Sequence, residues 1–529
     1  MTRPNADVLI SLLSRPQCYP QPNTSVELVE THLSWVFLTD ELVYKLKKPV
    51  HFEFADFRTL AARRAACHDE LRLNRRLAPH VYLDVVQLRV SGLAVLFTEA
   101  DHSVDGLDED RDAIEYAVRM RRLPDGRMLD HLIRSGRLDS GEVDEFAERL
   151  ATFYSSAAAV TADTGAYRRS IEHHVRANRA DLLDAADPRD DALVRRVHAA
   201  QLRLLHLYAD AFDTRVSEGR VIEGHGDLRP EHVCLIDPPV VFDCVEFSRE
   251  LRTLDIADEL AFLAMECDSL DAADVGQRVL DAYARRSHDN PPPMLWNFYK
   301  SYRACVRAKV AALRAAQVTG DERNALLADA DKRLRLAESY ERQFGRPTLL
   351  VVGGLMGTGK STVAAALGEA LGFDCLRTDV VRGELFGDAP SADGFASGRY
   401  SDENRRRVYD EVFHRAEAML TTGVSLILDG TFLADAEIAP SRDLAERHGA
   451  ALLVVRCECP DDLARQRIAQ RSAAGNDASE ARPELFDQQK RRQCTSAIDV
   501  PRLVLDTSLP VARLLPEVYQ RLRADEERS

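Results

Sequence analysis

Eight consecutive residues, Gly354-Leu355-Met356-Gly357-Thr358-Gly359-Lys360-Ser361, satisfy G-x-x-x-x-G-K-[ST] at every fixed position. Each fixed residue type has a physical task. The glycines let the backbone turn tightly, so that its N–H groups approach phosphate oxygens closely. Lys360 can reach β- and γ-phosphates, and Ser361 can offer its hydroxyl to magnesium. The loop and Thr362, just inside the following helix, are therefore expected to hold the phosphates of a nucleotide. Thr348 to Val352 reads as a buried strand before the loop. Lys360 to Leu371 reads as a helix ended by Gly372.

A second constellation is His225-Gly226-Asp227-Leu228-Arg229-Pro230-Glu231-His232, followed by a strand-like run ending at Asp243. An aspartate in a loop and another at a strand end can converge on one site. In phosphoryl transfer the first orients and deprotonates an attacking hydroxyl, and the second holds magnesium against the nucleotide. Glu246 and Arg249 read as substrate contacts or as a loop ion pair. Asp255 and Asp258 read as caps or braces of the loop. Arg303 and Arg307, at i and i+4, read as a solvated basic face or a substrate anchor.

Further candidates follow the glycine-rich loop. Asp379, after the second strand of that region, reads as a base for an acceptor hydroxyl or as a helix cap. Arg382 can bind an anionic group of the acceptor. Asp429 ends an apolar strand, as a magnesium-orienting carboxylate would. Arg467 and Arg471 share a helix face and can close on a transferring phosphoryl group, with Gly475 to Arg482 as a lid. No guanine-reading N-K-x-D sequence occurs in this region, which favours ATP over GTP.

The elements that must position these residues fall into two patterns. A hairpin, Trp35–Leu38 and Leu42–Leu46 around a polar turn, opens the first. A helix follows over about Thr59 to Leu77, then strands over Val81 to Phe97 and Tyr116 to Met120. The chain beyond Asp125 is mostly helical. From Pro347 onward strands and helices alternate: Thr348–Val352, Asp374–Thr378, Val424–Leu428, Ala451–Arg456 and Arg502–Leu505 are the strands. That rhythm predicts an α/β fold with a parallel sheet of about five strands. Gly345-Arg346-Pro347 marks the boundary, giving domains 1–345 (small lobe about 25–122, large lobe about 123–340) and 346–529.

The chain has 529 residues, too many for one ordinary core. Its net charge of −16 argues against a general nucleic-acid or membrane-surface binder. The cysteines show no zinc-ribbon spacing, and Cys457 and Cys459 read as small residues at a strand end. Met1 to Ser14 carries acidic and polar breaks, and no apolar run is long enough to span a bilayer. The expectation is a cytoplasmic protein with reduced thiols.

The block around Asp227 resembles the aminoglycoside phosphotransferase family, whose architecture is similar to protein kinases. The resemblance covers about Ser34 to Arg314 and implies an α+β, protein-kinase-like N-terminal domain. It implies that Asp227 is the catalytic aspartate and Asp243 the metal aspartate. It also implies that Lys45 is the nucleotide lysine with Glu70 as partner, and that Met120 to Leu123 is the hinge against adenine. Lys47 shares the strand face of Lys45, so either lysine can fill that role. His232 stands where the family has a metal-binding Asn. Pro347 to Arg523 resembles the P-loop small-molecule kinases, including gluconate kinase-like, zeta-toxin-like and polynucleotide-kinase-like enzymes. The whole chain resembles bacterial fusions of these two domains. This implies ATP and Mg2+ as cofactors and phosphorylation of a hydroxyl on a small molecule. A regulatory sensor and a nucleic-acid end kinase are the alternatives.

Overall fold

In the computed structural model of the chain, the described residues are 6–52, 55–91, 94–99, 113–161, 163–185, 191–387, 401–474, 483–491 and 498–528. They form two compact units, 1–162 with 215–292, and 163–214 with 293–529. Among the described residues no helix is long and apolar enough to cross a membrane.

The first unit holds a six-stranded antiparallel sheet. Its strands are β1 (Glu27–Glu30), β2 (Ser34–Leu38), β3 (Leu42–Lys47), β4 (Tyr82–Ser91), β5 (Ala94–Glu99) and β6 (Glu115–Arg121), in the order β1-β2-β3-β6-β4-β5. The predicted hairpin is β2–β3, with Val36 opposite Lys45. Alternation puts Tyr44 and Leu46 on one face, where they pack with Phe37 and Val86. Lys45 and Lys47 leave the other face together. Opposite β3 on that face lie Val118 and Met120 of β6, paired with Lys45 and Val43.

Helix α1 (Leu60–Asn74) crosses that face. Thr59 starts it, its hydroxyl accepting from the Ala62 N–H at 3.2 Å. The helix ends before the expected Leu77 because the last bonds tighten to i→i+3, at Arg76 to Leu73 and Leu77 to Asn74. One turn of α1 brings Cys67, Glu70 and Leu71 inward. Beyond the sheet come helices, and the short paired strands Val233–Cys234 and Val240–Val241, which close a hairpin under Asp227 and Asp243. Helix α2 (Ile256–Ser269) runs beneath, buried along most of its length.

The second unit contains a five-stranded parallel sheet. Its strands are β7 (Thr348–Gly353), β8 (Asp374–Arg377), β9 (Leu426–Asp429), β10 (Ala451–Glu458) and β11 (Arg502–Asp506), in the order β8-β9-β7-β10-β11. All five predicted strands are present. Both faces are covered, so β7 and β9 read as unbroken apolar runs. On one face pack α3 (Lys360–Leu371) and the helix Val511–Glu526. On the other pack α4 (Thr378–Phe386), α5 (Asp402–Thr421) and α6 (Asp435–Arg447). Two further helices, α7 (Asp461–Ala474) and α8 (Pro483–Arg491), follow β10. The alternating pattern does begin at β7, next to the expected boundary at 345/346. Packing draws earlier helices into the same unit: Ala199 and Leu207, on the helix Asp191–Leu207, share a core with Leu367 and Leu371 of α3. Arg303, expected on a solvated face, is instead buried, its guanidinium 5.4 Å from the Tyr302 ring centroid.

A buried ionic cluster fixes the base of the first unit. Arg215 donates to Asp255 through Nε and Nη2, both at 2.8 Å, and to Asp289, which also accepts from the Tyr283 hydroxyl at 2.7 Å. Asp255 in turn caps α2 through the Ala257 N–H at 2.9 Å. Arg215→Met would take from two buried carboxylates the cation they share, leaving Asp289 only Arg220 at 3.7 Å, a loss of about 3–5 kcal/mol. Urea unfolding of the variant is expected to show it; a change below about 1 kcal/mol would contradict the assignment.

Candidate active sites

The first site is built on a carboxylate shared by two lysines. Lys45 Nζ lies 2.9 Å from Glu70 Oε1 and donates to Asp243 Oδ1 at 2.6 Å. Lys47 Nζ lies 2.6 Å from Glu70 Oε2 and pairs at its other side with Glu246. An alternating row results: Asp243, Lys45, Glu70, Lys47, Glu246. Burial opposes the charge of each lysine, but the carboxylates around them outweigh it and hold both above the usual lysine range. Burial likewise opposes ionisation of Asp243 and Glu70, yet Lys45 first among their neighbours holds both below the carboxylate range. Both lysines thus reach the expected ion-pair partner, and Lys45 is the one that faces Asp243.

Asp243 adopts φ 64°, a left-handed conformation costly for a residue with a Cβ. Neighbours impose it. The Asp243 N–H donates to the Tyr82 hydroxyl at 3.2 Å, and the Cys244 N–H donates to Asn74 Oδ1 at 2.9 Å. The Asp227 loop is held as firmly. Glu259 of α2 accepts from the N–H groups of His225 at 2.7 Å and Gly226 at 2.6 Å. A Cβ on Gly224 would stand 2.0 Å from that carboxylate, so a larger residue there would push the Glu259 brace aside. Arg76, just past the end of α1, donates to the carbonyls of Glu223 and Gly224 at 2.6 and 2.7 Å. The brace expected from Asp255 or Asp258 thus comes from Glu259 and Arg76.

Asp227 keeps a third of its side chain exposed, with Arg229 Nε 3.0 Å from Oδ1. His232 sits between the two aspartates, each ring nitrogen 3.7 Å from one of their carboxylates. Its Nδ1 is 2.8 Å from the Asp227 carbonyl, so Nδ1 carries a proton; Nε2 is 3.1 Å from Arg229 Nη2. His232, a candidate metal ligand by its place in the motif, thus has both ring nitrogens engaged by protein groups. The part-exposed carboxylate of Asp243 provides the hard oxygen donors that magnesium requires. Met120 lies on the Lys45 face of the sheet, in a cluster with Val43, Cys67 and Leu123.

The second site is the glycine-rich loop. Gly357 and Gly359 have φ 77° and 80°. A Cβ on Gly354 would stand 2.5 Å from the Cys457 carbonyl oxygen, and one on Gly357 would stand 2.5 Å from that of Ala464. Side chains and carbonyls from distant segments pin the loop. The Gly354 N–H donates to the Thr431 carbonyl at 3.0 Å, and the Met356 N–H to Gln489 Oε1 at 2.7 Å. Thr358 Oγ1 donates to the Leu355 carbonyl at 2.8 Å, and buried Thr507 donates to the Thr358 carbonyl at 2.5 Å. Lys360, Ser361 and Thr362 then open α3, whose positive end faces an anion; the Thr362 and Val363 N–H groups donate to the Gly359 carbonyl, both at 3.1 Å.

Asp429 ends β9 almost fully buried, with Lys360 and Ser361 against it and Arg377 Nε 3.3 Å from Oδ2. Burial raises its carboxyl above the usual range, partly offset by Lys360. Its Oδ1 has no hydrogen-bond partner among the described residues. A buried acceptor oxygen beside a serine hydroxyl fits a hard cation. Asp379 lies inside the first turn of α4, whose cap is Arg377, and its Oδ1 accepts from Arg382 at 2.5 Å. The expected base and the expected anion-binder thus hold each other. Arg467 donates to the Thr507 carbonyl at 2.8 Å, and its Nη1 lies 3.5 Å from where a Gly359 Cβ would be. Arg471 lies one turn further along α7; its side chain and the lid segment 475–482 are outside the described residues.

Beside this loop opens a cavity of about 510 Å³, lined among others by Arg405, Arg406, Tyr409, Phe413, Glu437 and Arg491. Its wall touches the loop anchor. Thr431 Oγ1 accepts from Arg405 Nη2 at 3.1 Å and lies 3.1 Å from the Tyr409 hydroxyl. Arg405 also pairs with Glu437 at 2.6 Å. Arg229 was visible inside the His225–His232 motif. Glu259, Thr507, Gln489, Thr431 and Arg405 carry no sequence signal, because folding alone brings them to their loops.

His225 supplies a pH test of the first site. Burial, and next the neighbouring His232, push its imidazole from 6.5 down to about 4. The neutral ring donates from Nε2 to the Phe242 carbonyl at 2.9 Å, leaving Nδ1 as acceptor for the Asp227 N–H at 3.4 Å. Above pH 6.5 the ring is neutral folded or unfolded. As pH falls from 6.5 to 4 the unfolded chain binds the proton first, so stability is lost by about 3 kcal/mol from this group. Urea unfolding at pH 7 and pH 4.5 is expected to show a smaller loss for His225→Gln than for the natural chain. Equal losses would refute the buried neutral ring.

Residues 349–494 match a family model described as an AAA domain. An uncharacterized protein of Mycobacterium tuberculosis, Rv2004c, is 35% identical over 463 residues, spanning 86% of this chain and 88% of the relative. Among solved structures, a choline/ethanolamine kinase family protein from Mesorhizobium loti aligns at 12% identity and TM-score 0.36. It covers 64% of this chain and 99% of its own. A gluconokinase from Sinorhizobium meliloti aligns at 18% identity and TM-score 0.27, over 35% and 95% of the two chains. The sequence identity and its span decide membership. The chain belongs to the same family as the mycobacterial protein Rv2004c, and its residues 349–494 form an AAA-type domain that carries the glycine-rich loop.

Proposed function

We propose that this chain is an ATP-dependent phosphotransferase that acts on a hydroxyl of a small molecule, with one nucleotide site in each domain. The observation that carries the reading is the convergence of Lys45, Glu70, Asp227 and Asp243 in the first unit, on a loop that Glu259 and Arg76 hold rigid. Asp227 accepts the proton of the acceptor hydroxyl as its oxygen attacks the γ-phosphorus. The bond from that phosphorus to the β–γ bridging oxygen breaks, and ADP leaves. Arg229 orients Asp227. Lys45 holds nucleotide phosphate, and Asp243 holds magnesium, which when bound neutralises phosphate charge. His232, with both ring nitrogens engaged, acts by fixing the loop between the two aspartates.

In the P-loop domain the amides from Gly354 to Ser361 and the Lys360 ammonium take the phosphates, and Ser361 and Asp429 provide the magnesium donors. Asp379 is the candidate base. Arg467 overlies Gly359, where charge on the transferring group would develop, with Arg471 on the same helix. The cavity beside Thr431 has the size of a small-molecule site and offers arginines for polar groups of the acceptor. The net charge of −16 disfavours a nucleic-acid strand as acceptor.

A regulatory reading, in which the first domain binds nucleotide without transferring phosphate, is favoured by one observation: His232 leaves a thinner donor set around Asp243 than an additional free ligand would. Transfer of γ-phosphate to a panel of hydroxylated metabolites separates the two. Lys360→Ala is expected to abolish one activity. Asp227→Ala should lower the other by at least about 100-fold. Arg405→Ala should raise the acceptor KM of the P-loop activity. ATP turnover by the Lys360→Ala/Asp227→Ala double variant equal to that of the natural chain would overturn both sites. Tight nucleotide binding by Lys360→Ala with no transfer to any acceptor would favour the regulatory reading.

A further inference from the structure

The row of five charges in the first unit has a part-exposed half and a buried half. Lys45 is 13% exposed and Asp243 43%, whereas Lys47 is fully buried and Glu246 is 6% exposed. The 2.6 Å contact between Lys45 and Asp243 takes one ammonium donor and one carboxylate oxygen. A phosphate at Lys45 and a cation at Asp243 compete with it and weaken it. At that moment Glu70, 1% exposed, loses part of the cation that neutralises it. Lys47 Nζ, 2.6 Å from Glu70 Oε2, is the cation that stays. At the other end Glu246 stands three residues after Asp243. It keeps that segment tied to β3 through Lys47, and Arg252 Nη1 holds the Glu246 carbonyl at 3.2 Å.

We propose that Lys47 is a positioning residue: a standing counter-ion that fixes Glu70 and the Asp243–Glu246 segment while Lys45 exchanges Asp243 for nucleotide phosphate. The proposal rests on the phosphotransferase reading of the first domain. It assigns the two lysines separate tasks. Lys45 touches the nucleotide. Lys47 never does, and acts through Glu70 and Glu246.

The test uses the full chain carrying Lys360→Ala, which silences the P-loop. Mg·ATP turnover and binding of a fluorescent ATP analogue are measured against magnesium concentration. Lys47→Met alone can fail by misfolding, so the main variant is Lys47→Met/Glu246→Leu, which removes one buried charge of each sign. In that variant Lys45 is the sole cation for Glu70 and stays locked beside Asp243. The melting temperature is expected to return to within a few degrees of the parent. The kcat is expected to remain at least tenfold down, and the magnesium concentration for half-maximal rate or binding to rise at least fivefold. Lys47→Arg, which keeps the charge, should recover most of both. Parental kcat and magnesium dependence in the double variant would show that Lys47 only supports the fold. If the Lys360→Ala parent neither turns over nor binds Mg·nucleotide, and Lys45→Met changes nothing, the phosphotransferase reading itself falls and this proposal with it.

Discussion

One buried carboxylate organises the first candidate site. Glu70 is closed to water and has a cation on each oxygen. Burial alone would keep it protonated; two lysines at i and i+2 of one strand keep it charged. The arrangement needs three things at once. β3 must be a strand, so that both lysines share a face. α1 must cross that face in a register that aims Glu70 inward. Cys67, Leu71 and Val118 must exclude water around them. Thr59 at the helix start and the β3–β6 pairing meet the second condition. The position of Asp243 then follows, because its carboxylate is drawn to Lys45 while Tyr82 and Asn74 hold its backbone in a strained conformation.

In the proposed function the two domains handle phosphate by opposite means. In the first, side chains carry the charges, and a carboxylate on a neighbouring helix stiffens the loop that bears Asp227. In the second, backbone amides do most of the binding, and the loop is shaped by glycines whose missing Cβ atoms leave room for the carbonyls of Cys457 and Ala464. A side-chain site can be disarmed by a single charge change. A backbone site is damaged mainly by bulk, since any residue larger than glycine at 354 or 357 meets main-chain atoms that cannot move aside.

Much of this was legible in the sequence. The P-loop, all five strands of its sheet and the helix ended by Gly372 follow from local rules, because turn chemistry and apolar runs are written in neighbouring residues. The β2–β3 hairpin, and the partnership of Glu70 with a lysine, followed from resemblance and spacing. Three kinds of feature were hidden. Glu259 and Thr507 act on loops far away along the chain, and neither stands in a recognisable pattern. Arg303 looked like a surface residue because charge is a poor guide to burial when an aromatic ring accepts the guanidinium. The helix Asp191–Leu207 reads as part of the N-terminal region by position; that Ala199 and Leu207 also meet α3 was hidden, because periodicity does not say which distant surface a stripe will meet.

That last pairing affects how the protein is made. Ala199 and Leu207 leave the ribosome long before Leu367 and Leu371, the residues they pack against. Their helix is bracketed in sequence by the segments that make up the first unit, 1–162 and 215–292. During synthesis the helix Thr164–Asp184 is already present to pack against this one, but the face that carries Ala199 and Leu207 must wait for α3. A chain stalled before α3 leaves that face open to aggregation or to a chaperone.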